Sequence, residues 1–411
     1  MTTRHMIDRL LDALTDTPAI LVNGARQTGK STLVQAAELG DSPRQYLTFD
    51  DPGILAAARS DPNGFVAGLG SAVTLDEVQH IPEIFPVIKA AIDRQRLPGR
   101  FLLTGSANVM LLPKLSESLA GRLEVLTLWP FSQGEIRGVR ENFVDALLGP
   151  EQPEWAGTAP TRDELLEMLV AGGYPPALAR PSQRRRDAWF QSYVLTILQR
   201  DIRDLTDIAD LSAVPRLLAV LAARVGGLLN FAEISRSVAL PQSTLKRYFA
   251  LLEATFLVQM LRPWARNLGK RVIQTPKVYL NDTGLLTYLQ GATVARLKAE
   301  GNQAGMVLEN FVHMELRKQS TWSAAEPELF FWRTASGQEV DLVLEDRAGR
   351  IAGVEVKASA TLAAGDVRGL QALAQAAGPR WLRGVVLYTG TEVIPFAKNL
   401  HGVPLGRLWA A

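Results

Sequence analysis

The sequence predicts an α/β protein of several domains, with a parallel sheet first and a smaller sheet near the carboxyl end. An apolar run followed by a glycine-rich loop and a helix, at residues 18–35, is the first observation behind this class. Two further apolar runs, 71–79 and 100–108, end in polar side chains, as strands of a parallel sheet do where ligands bind. The third observation is a short hairpin at 337–357 with charged residues inside its apolar arms.

Length and composition limit the classes of protein that fit. A chain of 411 residues is too long for one compact core, so two or three domains are expected. The 44 basic and 42 acidic residues nearly balance, so any nucleic-acid site must be a local patch. The absence of cysteine excludes disulfides, zinc-thiolate sites and cysteine nucleophiles. Acidic residues interrupt the start of the chain and Arg224 interrupts the longest apolar stretch, so we expect a cytoplasmic protein with no membrane partner.

The loop after the first strand has the spacing of a phosphate-binding loop, Gly24-x-x-x-x-Gly29-Lys30-Ser31. Its glycines let backbone N–H groups turn toward a β-phosphate at the start of a helix, whose dipole favours anions. Lys30 would reach the β- and γ-phosphates, and the Ser31 hydroxyl would bind Mg²⁺. The predicted ATP-binding residues are Gly24, Gln27, Thr28, Gly29, Lys30, Ser31 and Thr32.

The next two strands supply the remaining candidates for ATP hydrolysis. Asp76, at the end of an apolar run, would hold the water shell of Mg²⁺, and Glu77 would orient or deprotonate the attacking water. Thr104 and Ser106 end the following strand, where they either reach the γ-phosphate or form an ordinary turn.

Arg122 precedes a further strand predicted at 124–128. In one interpretation it is an arginine finger that contacts the phosphates bound by a neighbouring subunit, which can increase the rate of hydrolysis roughly 10³–10⁵-fold. In the other it is a cation that interacts favourably with the dipole at a helix C-terminus. The sequence leaves both interpretations open.

These motifs resemble those of the AAA-type ATPases, and most of all a bacterial and archaeal group in which the ATPase precedes a C-terminal domain of unknown function. The resemblance covers most of the chain, through GARQTGKSTL, YLTFDDP, TLDEVQHIPEIFPVIKAAID, LLTGSA, SLAGRLEVLTLWPFS, GGYPPAL and VYLNDTGLL. That family usually has Gly-Pro-Arg-Gln and Gly-Lys-Thr-Thr in the loop, where this chain has Gly-Ala-Arg-Gln and Gly-Lys-Ser-Thr. The resemblance implies Mg²⁺-dependent ATP hydrolysis, with Asp76 and Glu77 as magnesium and water residues, Ser106 or Thr104 as sensor, and Arg122 as finger. A finger acting between chains would require a homo-oligomer.

The middle of the chain predicts a helical lid and then a winged helix-turn-helix. Residues 134–162 are rich in loops and prolines. The stretch 163–178 predicts a helix that ends at the pair Gly172-Gly173. Residues 230–261 predict two helices around a break at Leu240-Pro241. The tract 262–277 has five cations, including Lys277, and no acid, as a basic wing would. The predicted DNA contacts are Lys246, Arg247, Arg266, Lys270 and Arg271, and the alternative is a winged helix that packs against protein.

The C-terminal hairpin sets carboxylates opposite each other. A three-residue turn at 347–349 gives a register in which Asp341 faces Glu355, with Lys357 on the same face. Two facing carboxylates repel unless a cation lies between them or one stays protonated, and a divalent ion suits the pair.

Together with Glu309 on a predicted helix, these residues resemble the PD-(D/E)xK constellation of restriction-endonuclease-like nucleases. The resemblance implies that Glu309, Asp341 and Glu355 bind Mg²⁺ or Mn²⁺ and that Lys357 orients a water or stabilises charge on a phosphate. The proline that usually precedes the first acid is absent, since Val340 stands there. The domain therefore either cuts DNA or keeps the fold as an inactive scaffold.

The complete prediction has four parts: an AAA-type P-loop sheet domain at 1–135, a helical lid and connector at 136–210, a winged helix-turn-helix at 211–290 and a restriction-endonuclease-like α/β domain at 291–411. Such a chain would hydrolyse ATP and act on DNA, branched or damaged, with a metal-dependent nuclease-like domain. The alternative is an ATP-dependent switch or protein-interaction module, in signalling or in stress or toxin–antitoxin control.

Overall fold

The computed structural model of the chain describes residues 2–36, 44–107, 121–155, 159–202, 212–267 and 275–410. They form two compact units, one made of Thr3–Pro130 and Leu251–Leu257, the other of Phe131–Ala250 and Val258–Ala411. Among these described ranges, no helix is long and apolar enough to cross a membrane. The finer division into four domains stays a prediction.

The first unit contains the predicted parallel sheet. Its strands are β1 (Ala19–Asn23), β2 (Gln45–Thr48), β3 (Val73–Asp76), β4 (Phe101–Gly105) and β5 (Leu123–Thr127). They pair in the order β2-β3-β4-β1-β5, all parallel. Every residue of β1, β3 and β4 is buried, as in a sheet covered on both faces. Because parallel strands end at the same edge, the loop after β1 and the polar ends of β3 and β4 meet there.

Five described helices accompany this sheet: α1 (Ile7–Asp16), α2 (Lys30–Ala36), α3 (Pro52–Ser60), α4 (Pro62–Ala67) and α5 (Ile84–Arg94). The sequence starts α3 and α4 in the same way, with an aspartate cap followed by proline at the first helical position. Asp51 accepts hydrogen bonds from the backbone N–H groups of Gly53 and Ile54, and Asp61 accepts one from Gly64.

The segment 134–162, expected to be loop-rich, contains helix α7 (Phe143–Leu148) and most of α6 (Gln133–Arg137). Ser132 and Glu135 form a reciprocal capping box that starts α6, and α7 buries apolar side chains including Phe143 and Leu147. The sequence analysis did not predict these two helices, because it gave weight to prolines that lie after α7.

The next helices are α8 (Arg162–Ala171), α9 (Pro175–Leu178), α10 (Gln183–Thr196), α11 (Val214–Ala222), α12 (Phe231–Val238) and α13 (Gln242–Ala254). They belong to the second unit, except for the last four residues of α13. Helix α8 ends before Gly172, as predicted. Helices α12 and α13 are the two predicted around a break, where Ala239 adopts a left-handed conformation with φ 55°. An antiparallel pair follows, β6 (Val258–Leu261) with β7 (Lys277–Leu280).

The tract between β6 and β7 was expected to be a basic wing. Its first residues run beside a later strand instead, since Trp264 N donates to Phe331 O at 2.6 Å and Phe331 N to Arg262 O at 3.1 Å. Lys270 and Arg271 lie outside the described residues. Lys277 begins β7 and is buried, so it is not part of an exposed wing.

Helices α14 (Thr283–Gln290), α15 (Val294–Ala299) and α16 (Gly301–Ser320) lead into a six-stranded sheet, against which α16 and α17 (Arg368–Ala377) pack. Its strands are β8 (Glu328–Arg333), β9 (Glu339–Glu345), β10 (Ile351–Lys357), β11 (Trp381–Tyr388), β12 (Ile394–Ala397) and β13 (Leu400–Pro404). Their order is β12-β13-β11-β10-β9-β8, with β10–β11 and β11–β13 parallel. The β9–β10 register pairs Leu342 with Val354, and its continuation sets Asp341 opposite Glu355, as predicted.

Gly172 provides a test of the turn that ends α8. It has φ 69° and ψ −157°, and a Cβ there would lie 2.3 Å from Oδ1 of Asp282. Asp282 cannot move aside freely, because it is buried and accepts the backbone N–H groups of Gly173 and Leu285. Gly172→Ala should therefore lower the free energy of unfolding by about 3 kcal/mol, combining backbone strain with overpacking.

Gly138→Ala is the matched control, since Gly138 has a similar φ of 70° but no atom within 4 Å of the added Cβ. It should cost only about 1 kcal/mol. Urea unfolding followed by circular dichroism measures both, and equal losses would contradict the clash with Asp282.

Candidate functional site

The loop after β1 is folded around the ammonium of Lys30. Lys30 Nζ donates to the carbonyl oxygens of Gly24 and Ala25, each at 3.0 Å, and Thr28 Oγ1 donates to Ala25 O at 3.0 Å. Gly24 has φ 146°, and a Cβ there would lie 2.2 Å from the carbonyl oxygen of Leu128, so only glycine fits. Gln27 and Thr32, the other predicted loop residues, are exposed.

Asp76, at the end of β3, lies against the start of α2. Ser31 Oγ donates to Asp76 Oδ1 at 3.0 Å and lies 3.2 Å from Oδ2. Tyr46 on β2 donates its hydroxyl to Oδ2 at 2.8 Å, and Thr104 on β4 donates to Oδ1. The structure therefore brings together the hydroxyl and the carboxylate that were predicted to share Mg²⁺.

Glu77 is held in a left-handed conformation, φ 59°, which a non-glycine residue keeps only when its surroundings impose it. Its carboxylate accepts hydrogen bonds from Ser106 Oγ at 2.6 Å and from the amide of Gln79. Burial raises the pKa of Glu77, but the Lys30 ammonium and these two hydrogen bonds outweigh it, so the pKa lies below its ordinary value of 4.5. Glu77 is thus an oriented, ionised carboxylate at the loop edge.

Sequence reasoning missed two members of this network, Tyr46 and Gln79. Gln79 also accepts the backbone N–H of Ser106 at 3.2 Å, so it links the ends of β3 and β4. Both residues lie inside stretches already singled out, YLTFDDP and TLDEVQHIPE. The available signals were the place of Tyr46 on the strand next to the acids and the place of Gln79 two residues after Glu77.

Arg122 lies away from the loop. It precedes β5, which runs parallel to β1 with Leu123 beside Ala19, so it occupies the edge opposite the phosphate-binding loop. β5 has five residues, so the two edges are roughly 13–17 Å apart. Arg122 donates to Asp93 on α5. Within one chain it does not reach the loop.

A second polar cluster lies in the other unit, around Lys277 on β7. Lys277 is 3% exposed, and its Nζ lies 3.0 Å from Glu309 Oε1, 2.6 Å from Glu339 Oε1 and 3.9 Å from Asp341 Oδ1. Tyr279 donates its hydroxyl to Glu309 Oε1 at 2.6 Å. Neither Lys277, Tyr279 nor Glu339 was predicted at this site.

The predicted pair of acids is present beside this cluster. Asp341 Oδ2 accepts the backbone N–H of Val356 at 2.9 Å, and Lys357 Nζ donates to Glu355 Oε1 at 2.8 Å. Burial raises the pKa of Asp341 well above its ordinary value of 3.8, and the charges of Glu309 and Glu355 raise it further.

The predicted metal ligands Glu309, Asp341 and Glu355 are not arranged around a metal position. In the part of the chain that the structure describes, no group of three or more histidine or acidic side chains could hold a metal ion. The cations facing these carboxylates are the ammonium groups of Lys277 and Lys357.

The candidate DNA contacts are only partly described. Lys246 and Arg247 are exposed on α13, off the face that buries Leu245, Phe249 and neighbouring apolar side chains. Arg266 is also exposed. These three cations are therefore accessible.

Asp341 gives a pH test. Between pH 3.8 and its raised pKa the native state keeps a proton that the unfolded chain releases, so stability falls as pH rises through that window. In Asp341→Asn the free energy of unfolding should fall less steeply with pH, by up to about 1.4 kcal/mol per pH unit. Urea unfolding from pH 4 to 8 measures the difference. Asp163→Asn, at an exposed position, should keep the wild-type slope, and parallel wild-type and Asp341→Asn curves would contradict the assignment.

Comparisons with known proteins cover nearly the whole chain. Residues 16–137 match the family described as AAA domain, 162–296 a domain of unknown function (DUF8612) and 304–408 a domain of unknown function (DUF4143). The uncharacterized proteins Rv2008c of Mycobacterium tuberculosis and Mb2031c of Mycobacterium bovis are each 34% identical over 408 residues, covering 98% of this chain and 84% of the relative. Among solved structures, the RuvB Holliday junction branch migration motor of Thermotoga maritima is 17% identical with a TM-score of 0.29, covering 63% of this chain and 89% of that one. The chain therefore belongs to the same family as Rv2008c and Mb2031c, and it joins an AAA domain to two domains of unknown function.

Proposed function

We propose that the chain hydrolyses ATP at the loop edge of its first sheet. The observation that carries the proposal is the contact of Ser31 Oγ with Asp76 Oδ1 at 3.0 Å, next to Lys30, which joins the phosphate-binding loop to an acid-ended strand. The match of residues 16–137 to the AAA domain supports the same conclusion.

The residues at this edge fit Mg²⁺, because a hydroxyl and a carboxylate are the hard oxygen ligands that this ion prefers. When bound, the ion would neutralise charge developing on the β- and γ-phosphate oxygens. Lys30 would exchange its contacts with the Gly24 and Ala25 carbonyls for phosphate oxygens. Ser31 and Asp76 would hold the ion.

Glu77 is the proposed base for the attacking water. Its lowered pKa keeps it ionised at neutral pH, and Ser106 and Gln79 fix the direction of its carboxylate. Because Arg122 lies at the far edge of the sheet, a finger role would act on a neighbouring copy, in a homo-oligomer.

The proposal extends to DNA as the partner. Helices α12 and α13, with the turn between them, would present Lys246 and Arg247 to the phosphate backbone, and Arg266 would add a further cation. In this function ATP hydrolysis would move the protein on DNA, branched or damaged, and cleavage by the C-terminal domain would require its acids to rearrange before Mg²⁺ or Mn²⁺ binds.

A second candidate is an ATP-dependent switch whose C-terminal domain binds a partner without cutting. The position of Lys277 favours it, because a cation of the chain itself already faces Glu309, Glu339 and Asp341. Nicking of DNA by the wild type under Mg²⁺ or Mn²⁺, lost in Asp341→Ala, would exclude this candidate.

Lys30→Ala should abolish ATP turnover, because it removes the ammonium that would reach the β- and γ-phosphates. Glu77→Gln should retain ATP binding but lose about 10²–10⁴ in rate, as expected when a general base is removed. Turnover is measured by phosphate release and binding by a fluorescent ATP analogue. Glu83→Gln, at an exposed position in the same unit, is the control and should match the wild type. Retained turnover in Lys30→Ala would end the nucleotide-site assignment.

DNA should raise ATP turnover, and Lys246→Ala with Arg247→Ala should weaken this effect. Losing two phosphate contacts should reduce the slope of log affinity against log salt by about 2. Fluorescence anisotropy with duplex and branched DNA measures this salt dependence. The control is Arg184→Ala with Arg185→Ala, which removes the same charge at exposed positions on α10 and should leave the slope as in the wild type. Turnover that is indifferent to every DNA form would favour the switch.

A further inference from the structure

The acids that resemble a nuclease site face a cation from outside their own domain. Glu309 lies on α16, and Glu339 and Asp341 lie on β9, all within the segment 304–408. Lys277 lies on β7, within the preceding segment 162–296. The ammonium therefore reaches the acids across a domain boundary of the sequence.

Strand β7 and the turn after α11 cover Glu309 together. Tyr279 donates to the same oxygen, Oε1, that Lys277 contacts. A Cβ on Gly226 would lie 3.1 Å from both carboxylate oxygens of Glu309, so the turn backbone packs directly on this group. Gly226 N donates to Val278 O at 2.9 Å, which joins the turn to β7.

An ammonium and a divalent ion compete for these oxygens. A metal would need these oxygens at about 2.0–2.6 Å. Lys277 Nζ, at 2.6 Å from Glu339 and 3.0 Å from Glu309, lies close enough to repel a second positive charge strongly. In the present arrangement Glu309, Glu339 and Asp341 therefore do not form a site for a metal ion, as already seen for the acidic and histidine side chains of the described residues.

We infer that Lys277 is a built-in cation that closes the acidic site of the C-terminal domain, and that its ammonium must be withdrawn before a divalent cation binds there. The middle domain, which carries Lys277, thus controls whether a metal ion can reach the acidic site. This regulation goes beyond ATP hydrolysis in the first unit.

Manganese binding to the nucleotide-free full chain tests the inference. The free Mn²⁺ signal in electron paramagnetic resonance gives the number of bound ions. Lys277→Met should bind about one equivalent more than the wild type, because it frees the carboxylates and keeps the length of the side chain. The double variant Lys277→Met with Asp341→Asn should lose that equivalent.

Two further arms keep the test decisive if Lys277→Met does not fold. Asp341→Asn alone should bind as many Mn²⁺ ions as the wild type, because the closed site takes none. Lys277→Gln removes the same ammonium with a polar side chain and should gain the same equivalent of Mn²⁺ as Lys277→Met. Fewer ions in Asp341→Asn than in the wild type, or no gain in folded Lys277→Met or Lys277→Gln, would overturn the inference. None of these readouts depends on ATP turnover.

Discussion

The second unit depends on the hydrogen bonds made by polar side chains of one buried helix, α16. Burying such groups is costly unless each is paired, so their partners must be held in place. Asn310 bonds to both the N–H and the C=O of Leu280, and Gln319 bonds to the N–H of Val144 and the C=O of Leu408. Three distant parts of the chain are thereby fixed against one helix.

Strand β7 has the largest share of these contacts, since Lys277, Tyr279 and Leu280 all bond to α16. His313 stacks on Tyr279 with ring centroids 4.2 Å apart, and burial lowers its pKa well below the ordinary value, so it packs as a neutral ring. The strand that carries the cation is thus held by several independent interactions. A movement of the whole of β7 would break all of these contacts.

The sequence predicted the parts of the fold that local patterns determine. The phosphate-binding loop has a fixed spacing between an apolar strand and a helix, and the turn at 347–349 sets the register of Asp341 against Glu355. Lys277 was misassigned because its partners are distant in sequence, while the tract that precedes it contains four other cations. The distance of Arg122 from the loop could have been deduced, because a residue before a parallel strand lies at the edge opposite the loops that follow such strands. The helices near 134–148 were missed because a capping box is a weaker signal than a cluster of prolines.

The segment at Arg262–Trp264 has a consequence for self-association. It runs beside β8, which is the last strand on its side of the six-stranded sheet, and so takes up hydrogen-bonding groups that an edge strand would otherwise offer to another chain. On the other side, β12 has four residues, contains Pro395 and shows a register irregularity beside it. Both borders of the sheet thus carry features that disfavour edge-to-edge pairing, so we expect copies of this chain to associate through other surfaces.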